Sequence, residues 1–125
     1  MKDSGLPEAF DTVYSISTFE HLDPQQLQST LTAARDILKP GGALVLTVDL
    51  FLDLHPFTTQ RSNRWGRNLS MSDVVAAPGL TLEQGDVSEL YGYPDFDAER
   101  VQSQLHRYFV GSGHPTLVEA CVLRK

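Results

Sequence analysis

Between Phe10 and Asp49 the chain reads FDTVYSISTFEHLDPQQLQSTLTAARDILKPGGALVLTVD, and three patterns follow one another within it. From Phe10 to Ser17, β-favouring residues (Phe10, Val13, Tyr14, Ile16) are interleaved with small polar ones, which predicts a strand whose far end opens onto a polar site. Thr18 to Leu22 is a turn. Asp23 then offers a carboxylate N-cap, Pro24 sits at the first helical position, and Gln26 stands three residues after the cap, as in a capping box. Leu27, Leu31, Ala34 and Leu38 fall at i, i+4, i+7 and i+11, one apolar stripe of a helix lying on a sheet. Gly41 and Gly42 are expected to stop it. Ala43 to Val48 is apolar at nearly every position, the pattern of a strand covered on both faces. Two strands joined through a helix are parallel, so the stretch predicts a βαβ unit.

Beyond Asp49 the pattern loosens. FLDLHPFTTQRSNRWGRN has no sustained period, contains Pro56 and Gly66, and is long for a connection in a compact domain, which predicts a functional lid over residues 50–69. Ser70 or Ser72 is placed to cap a short helix ending before Pro78 and Gly79, and Leu80 to Glu83 reads as a strand. A helical turn or two is expected between Ala98 and Tyr108, and Thr116 to Leu123 as a closing strand.

Several details of the opening stretch resemble class I S-adenosylmethionine-dependent methyltransferases. They are Leu6-Pro7, Phe10-Asp11, Val13, Ser15, Glu20-His21-Leu22, Leu38, Pro40-Gly41-Gly42, Leu44 and Thr47, at the spacing of that family's later strands. Each is weak alone, and their joint spacing carries the resemblance. It implies an α/β fold holding the last four strands of a Rossmann-like methyltransferase sheet, mixed parallel and antiparallel, with flanking helices and the final strand inserted antiparallel. It also implies a single truncated domain over 1–125: a strand-helix-strand core at 1–49, the lid at 50–69, and a C-terminal helix and strands at 70–125. The family's glycine-rich cofactor loop follows its first strand, a part with no counterpart here.

The resemblance implies S-adenosylmethionine as cofactor, with Ser17, Thr18 and Phe19 lining its pocket where the first strand ends. In doubly wound sheets ligands bind beyond the carboxyl ends of strands; the plain alternative is an ordinary connecting loop. Glu20 and His21 are the catalytic candidates, because an imidazole near neutrality can accept a proton from a substrate hydroxyl or amine while a carboxylate orients it. His21 also fits a role bonding loop backbone. The expected reaction is methyl transfer to an unidentified acceptor, a small molecule being one candidate, with the chain incomplete as a catalyst alone; the alternative is a non-catalytic, methyltransferase-like binding or dimerisation module.

Composition narrows the partners. A net charge of -6 opposes the positive field that nucleic acid requires, so no nucleic-acid partner is expected. The exception is local: Arg61, Arg64 and Arg67 surround Trp65, either as a solvated loop or as an anion-contacting substrate loop. Cys121 stands alone among apolar neighbours, which suits a buried thiol and a cytoplasmic protein, and no run is long enough to span a membrane. His55, His106 and His114 share no ligand spacing with Cys121, so no metal is expected. Asp11 reads as a turn or capping group, and Tyr91, Tyr93, Phe96, Tyr108 and Phe109 as core or pocket lining. A strand at 10–17 with nothing to pair on its outer side is an exposed apolar edge, and pairing with a second copy would cover it, so a homodimer through that edge is expected.

Overall fold

The computed structural model describes residues 7–107 and 115–125. Leu6, Tyr108, Phe109 and His114 of the sequence reading lie outside them. The opening stretch folds as β1 (Phe10–Ile16), a single 3-10 turn at Phe19–His21, α1 (Pro24–Ile37) and β2 (Leu38–Phe51). After a long connection come α2 (Met71–Val75), β3 (Thr81–Gln84), α3 (Ala98–Ser103), a 3-10 turn at Leu105–Arg107, and β4 (Thr116–Arg124). The sheet order is β1-β2-β4-β3. β1 and β2 run parallel, and β4 enters antiparallel between β2 and β3. This is the mixed four-stranded sheet with flanking helices that the sequence implied.

The start of α1 follows the capping logic in full. The amide of Gln26 donates to Asp23 Oδ1 at 2.7 Å, and the amide of Asp23 donates to Gln26 Oε1 at 3.1 Å, so two otherwise orphaned N–H groups are satisfied reciprocally. Its end differs from the expectation. The helix stops at Ile37, and Leu38 is already extended (φ -73, ψ 138). Pro40 explains this: it has no N–H to continue the ladder, and it disfavours a helical Lys39 before it. The glycines do another job. Phe10 pairs with Leu38, whereas Thr12 pairs with Ala43, so β2 bulges outward through Pro40-Gly41-Gly42. Gly41 has φ +76, and a Cβ on Gly42 would stand 2.9 Å from the carbonyl oxygen of Lys39. The bulge is closed by the amides of Gly41 and Lys125, which donate to Lys125 O and Gly42 O, each at 3.0 Å.

α1 buries Leu27, Leu31 and Ala34 against Leu44, Leu46 and Val48 of β2, with Met71 and Val74 of α2 in the same cluster. The register puts Leu123, Cys121 and Glu119 of β4 beside Leu44, Leu46 and Val48. One face of the sheet is thus the core. Among the described residues the other is not covered, contrary to the reading of Ala43 to Val48 as a strand buried on both sides. Val45 and Thr47 are only half-buried, and across that face Tyr14 is 74%, Ile16 65% and Val118 62% exposed. The apolar run of β2 arises from its central position between β1 and β4, not from helices on both sides.

The remaining helices and strands form with shifted ends, and Ser70 at the N-cap of α2 makes no side-chain capping bond. β2 runs two residues into the stretch read as lid. The rest of that stretch is tied down: Asn68 Oδ1 accepts from the Phe51 amide at 2.7 Å, and its Nδ2 donates to the carbonyls of Phe51 and His55, both at 2.9 Å. Leu52, Leu54 and Leu69 are buried beneath it. Cys121 is buried in β4, and burial, with Glu119 nearby, pushes its thiol up to about 11, far from a nucleophile's range. Asp11 pairs with Lys39 at 2.9 Å on the exposed surface. No helix of the described residues is long and apolar enough to cross a membrane.

Candidate functional site

Parallel strands joined by one crossover end at the same side of the sheet, so Ser17 and Asp49 leave β1 and β2 next to each other. The Ser17 amide extends the ladder to Thr47 O at 2.9 Å, and its hydroxyl donates to Asp49 Oδ1 at 3.0 Å. Ser17 sits at φ +44, a left-handed conformation that costs a side-chain-bearing residue about 1 kcal/mol or more. Strain of this kind persists where surrounding contacts hold it, here the Asp49 carboxylate and the strand ladder.

The turn that follows divides its residues between two environments. Phe19 is in the core, 3% exposed. Glu20 is 1% exposed, and its Oε1 accepts from the Asp49 amide at 3.4 Å while Oε2 has no partner among the described residues. Burial, and secondarily the Asp49 charge, raise its proton affinity above that of an ordinary glutamate, against the hydrogen bonds from the backbone. Thr47 Oγ1, two residues before Asp49, is another buried polar atom without a partner among the described residues. Thr18 faces outward and returns its hydroxyl to Ile16 O at 2.9 Å. His21 is exposed.

A second wall is built by the connection after β2. Asn63 and Gly66 bridge backbone to backbone, which turns Arg64 and Trp65 outward in a small hairpin. Gly66 has φ +146, and a Cβ there would lie 3.0 Å from Glu20 O and 3.4 Å from His21 Nδ1, so the hairpin presses directly on the Glu20–His21 turn. Arg67 fastens it, donating from Nη2 to Leu22 O at 3.0 Å. Between hairpin and turn lies an open cleft of about 460 Å3, bordered by Glu20, His21, Asp23, Asn63, Trp65 and Arg67. The Arg64 guanidinium lies 4.5 Å from the centre of the Trp65 ring.

The structure therefore brings Ser17, Glu20 and His21 to one end of the sheet together with the Trp65 hairpin. It does not join Glu20 to His21, since the carboxylate turns inward to the Asp49 amide and the imidazole outward to the cleft. Phe19 offers only backbone to a ligand in this conformation. Asp49 was missed from the sequence, although its place at the carboxyl end of the second parallel strand was a sufficient signal. The Asp49 charge contributes to the raised proton affinity of Glu20, and a cation beside the pair would relieve that repulsion.

The Methyltransferase domain family matches the chain over residues 2–46. No curated protein matches it. Among solved structures, the [4+2]-cyclase SpnF aligns with 99% of this chain at 15% identity and TM-score 0.56. A 16S rRNA (adenine(1408)-N(1))-methyltransferase from Catenulisporales acidiphilia, solved with its cosubstrate SAM, aligns with 95% at 17% identity and TM-score 0.50. An S-adenosylmethionine-dependent methyltransferase from Mesorhizobium loti aligns with 95% at 11% identity and TM-score 0.52. The chain spans 53%, 55% and 63% of the lengths of these three. Strand order, the inserted antiparallel strand and these alignments agree: the chain has the Rossmann-like fold of S-adenosylmethionine-dependent methyltransferases, over part of its extent.

Proposed function

We propose that this chain supplies the β1–β2 side of a crevice for S-adenosylmethionine-dependent methyl transfer. The observation that carries the reading is the Ser17–Asp49–Glu20 constellation at the carboxyl ends of two parallel strands, where two acidic groups await a positive charge. One of the similar structures holds S-adenosylmethionine as cosubstrate, and the cofactor is cationic at sulfur. Bound there, it would supply an activated methyl group. Fold alone is not enough for this assignment, since a cyclase shares it.

The chain's own residues divide the work. Asp49 and Glu20 set a negative potential at the strand ends, and the Ser17 hydroxyl fixes the Asp49 carboxylate in place. His21, exposed in the cleft and free of side-chain hydrogen bonds among the described residues, is positioned to accept the proton an acceptor hydroxyl or amine releases. The Trp65 hairpin closes the other side of the cleft and forms the acceptor's contact surface. Methyl transfer draws most of its acceleration from alignment of the reacting groups, so the rigid floor matters more than the base.

Isothermal titration of the chain with S-adenosylmethionine tests this reading. Saturable binding is expected, weakened at least about tenfold, or about 1.4 kcal/mol, by Asp49→Asn and by Ser17→Ala. Heat-silent titration at millimolar cofactor overturns it.

We also propose that β1 pairs with its counterpart in a second copy, continuing the sheet across a two-fold axis. Its outer backbone row has no partner among the described residues, and Tyr14 and Ile16 beside it are the most exposed large apolar side chains. Sedimentation is expected to show a concentration-dependent dimer that Ile16→Lys converts to monomer. A monomer at all concentrations contradicts this.

A further inference from the structure

The arginine cluster read from the sequence meets a second pocket that the cleft does not absorb. Arg61 and Arg67 approach from either side of the Asn63–Gly66 hairpin and, with His55, Asn68 and Tyr91, enclose about 220 Å3. No carboxylate lines it. Arg61 has no hydrogen bond or ion pair with any described residue, yet its charge reaches the Tyr91 phenol, where it opposes the rise in proton affinity caused by burial and by Glu119. Among the described residues Arg67 is bonded only to a neutral carbonyl, that of Leu22. In a chain with 16 acidic and 10 basic residues, two guanidinium groups sharing a pocket with no acidic residue is an uncompensated arrangement. An oxyanion compensates it, because the guanidinium fork matches carboxylate and phosphate geometry.

The walls are fixed in advance. Asn68 is held by its three hydrogen bonds to the backbone of Phe51 and His55. Tyr91 is anchored at both ends: its amide donates to the buried Glu119 carboxyl, and its ring meets Phe96 edge-on at 5.7 Å. The phenol oxygen lies 3.0 Å from His55 Nδ1. When that nitrogen carries the hydrogen and donates to the phenol oxygen, the phenol's own hydrogen is free to enter the pocket as a third donor beside the two arginines. Arg67 is also a wall of the cleft that holds Glu20 and His21, so the two cavities are neighbours.

We propose that the pocket formed by His55, Arg61, Arg67, Asn68 and Tyr91 binds an oxyanion, and that this anion is the carboxylate or phosphate group of the methyl acceptor. Attribution to the acceptor rests on the methyl-transfer reading; the anion site itself does not. It would orient an acidic small molecule with its reactive end toward His21.

Amide chemical shifts of the whole chain, followed by nuclear magnetic resonance during titration with inorganic phosphate or with acetate at constant ionic strength, test the site. Saturable shifts centred on Asn68 and Tyr91 are expected, and whichever anion saturates at lower concentration identifies the acidic group. Arg61→Gln is expected to weaken saturation at least about tenfold. Its side chain is exposed and bonded to no described residue, so the variant should fold, and its spectrum will show whether it does. Arg64→Gln, which removes the guanidinium over Trp65, should leave the anion affinity unchanged. Shifts that do not saturate, or equal losses in the two variants, overturn the proposal by reducing it to general charge attraction. If phosphate or acetate saturates while S-adenosylmethionine does not bind, the pocket stands and the methyl-transfer reading falls. The reverse result leaves that reading and removes the pocket.

Discussion

Replacing Glu119 with glutamine is expected to stabilise the protein above pH 8 by several kcal/mol and to flatten its dependence on pH between 5 and 9. Glu119 stands in the core row of β4, 4% exposed, and burial pushes its carboxyl up to about 8. The hydrogen bond from the Tyr91 amide pulls the other way and does not offset it. Its unfolded value is the ordinary 4.5. Between these two values the folded chain holds a proton that the unfolded chain has released, so unfolding becomes easier as pH rises. The stability is intact below about 4.5, declines through the interval and levels off above 8. At about 1.4 kcal/mol per unit the whole effect is on the order of 3 to 5 kcal/mol. Burial also raises Glu20, which adds to the same slope. Glutamine keeps the acceptor for the Tyr91 amide and carries no charge at any pH, so the two proteins should be nearly equal at pH 5 and far apart at pH 9. Urea denaturation at both values measures the difference. Parallel pH profiles for the two proteins would show that Glu119 ionises freely in the folded state.

Leu44→Ala is expected to cost about 2 to 5 kcal/mol, whereas Tyr14→Ala, on the same pair of strands, should cost under about 1 kcal/mol. Leu44 is fully buried, with Val13 of β1 and Leu123 of β4 at its two sides in the register and the leucines of α1 in the same cluster. Its truncation leaves a cavity among residues that the sheet and helix hold apart. Tyr14 lies on the open face, 74% exposed. Against the typical 5 to 15 kcal/mol of a small domain, the first change should lower the thermal midpoint sharply and the second hardly at all. Equal costs would mean that the open face is covered and the division of the sheet into a core side and a bare side is wrong.

Much of this architecture was legible in the residues between Phe10 and Asp49. The capping box at Asp23 and Gln26 and the leucine stripe of α1 are local devices, and local devices read directly from sequence. What was lost depended on neighbours distant in sequence. The end of α1 was assigned to Gly41 and Gly42, although Pro40 acts earlier and the glycines serve a bulge that exists only because β1 and β4 pair on either side. Double-sided burial of β2 was inferred from its apolar run, but a central strand can be apolar throughout while one face stays open. Glu119 was overlooked inside LVEACVLRK, where alternation through Leu117, Cys121 and Leu123 already placed it on the core face. At the site, Ser17 follows from its place where a strand ends and Glu20 and His21 from their acid-base chemistry, and the fold gathers the three at the sheet end. Asp49 and the approach of the Gly66 hairpin required the partner strand and the connection after it.

The carboxyl ends of β1 and β2 are where we propose a cationic cofactor binds. Amide chemical shifts recorded during titration with S-adenosylmethionine test it most directly. Saturable changes are expected, largest from Ser17 to His21 and at Asp49, with none at the Gly41–Gly42 bulge on the far end of the same strands. Changes clustered on the open face around Tyr14 and Val118, or no change at millimolar cofactor, would contradict it.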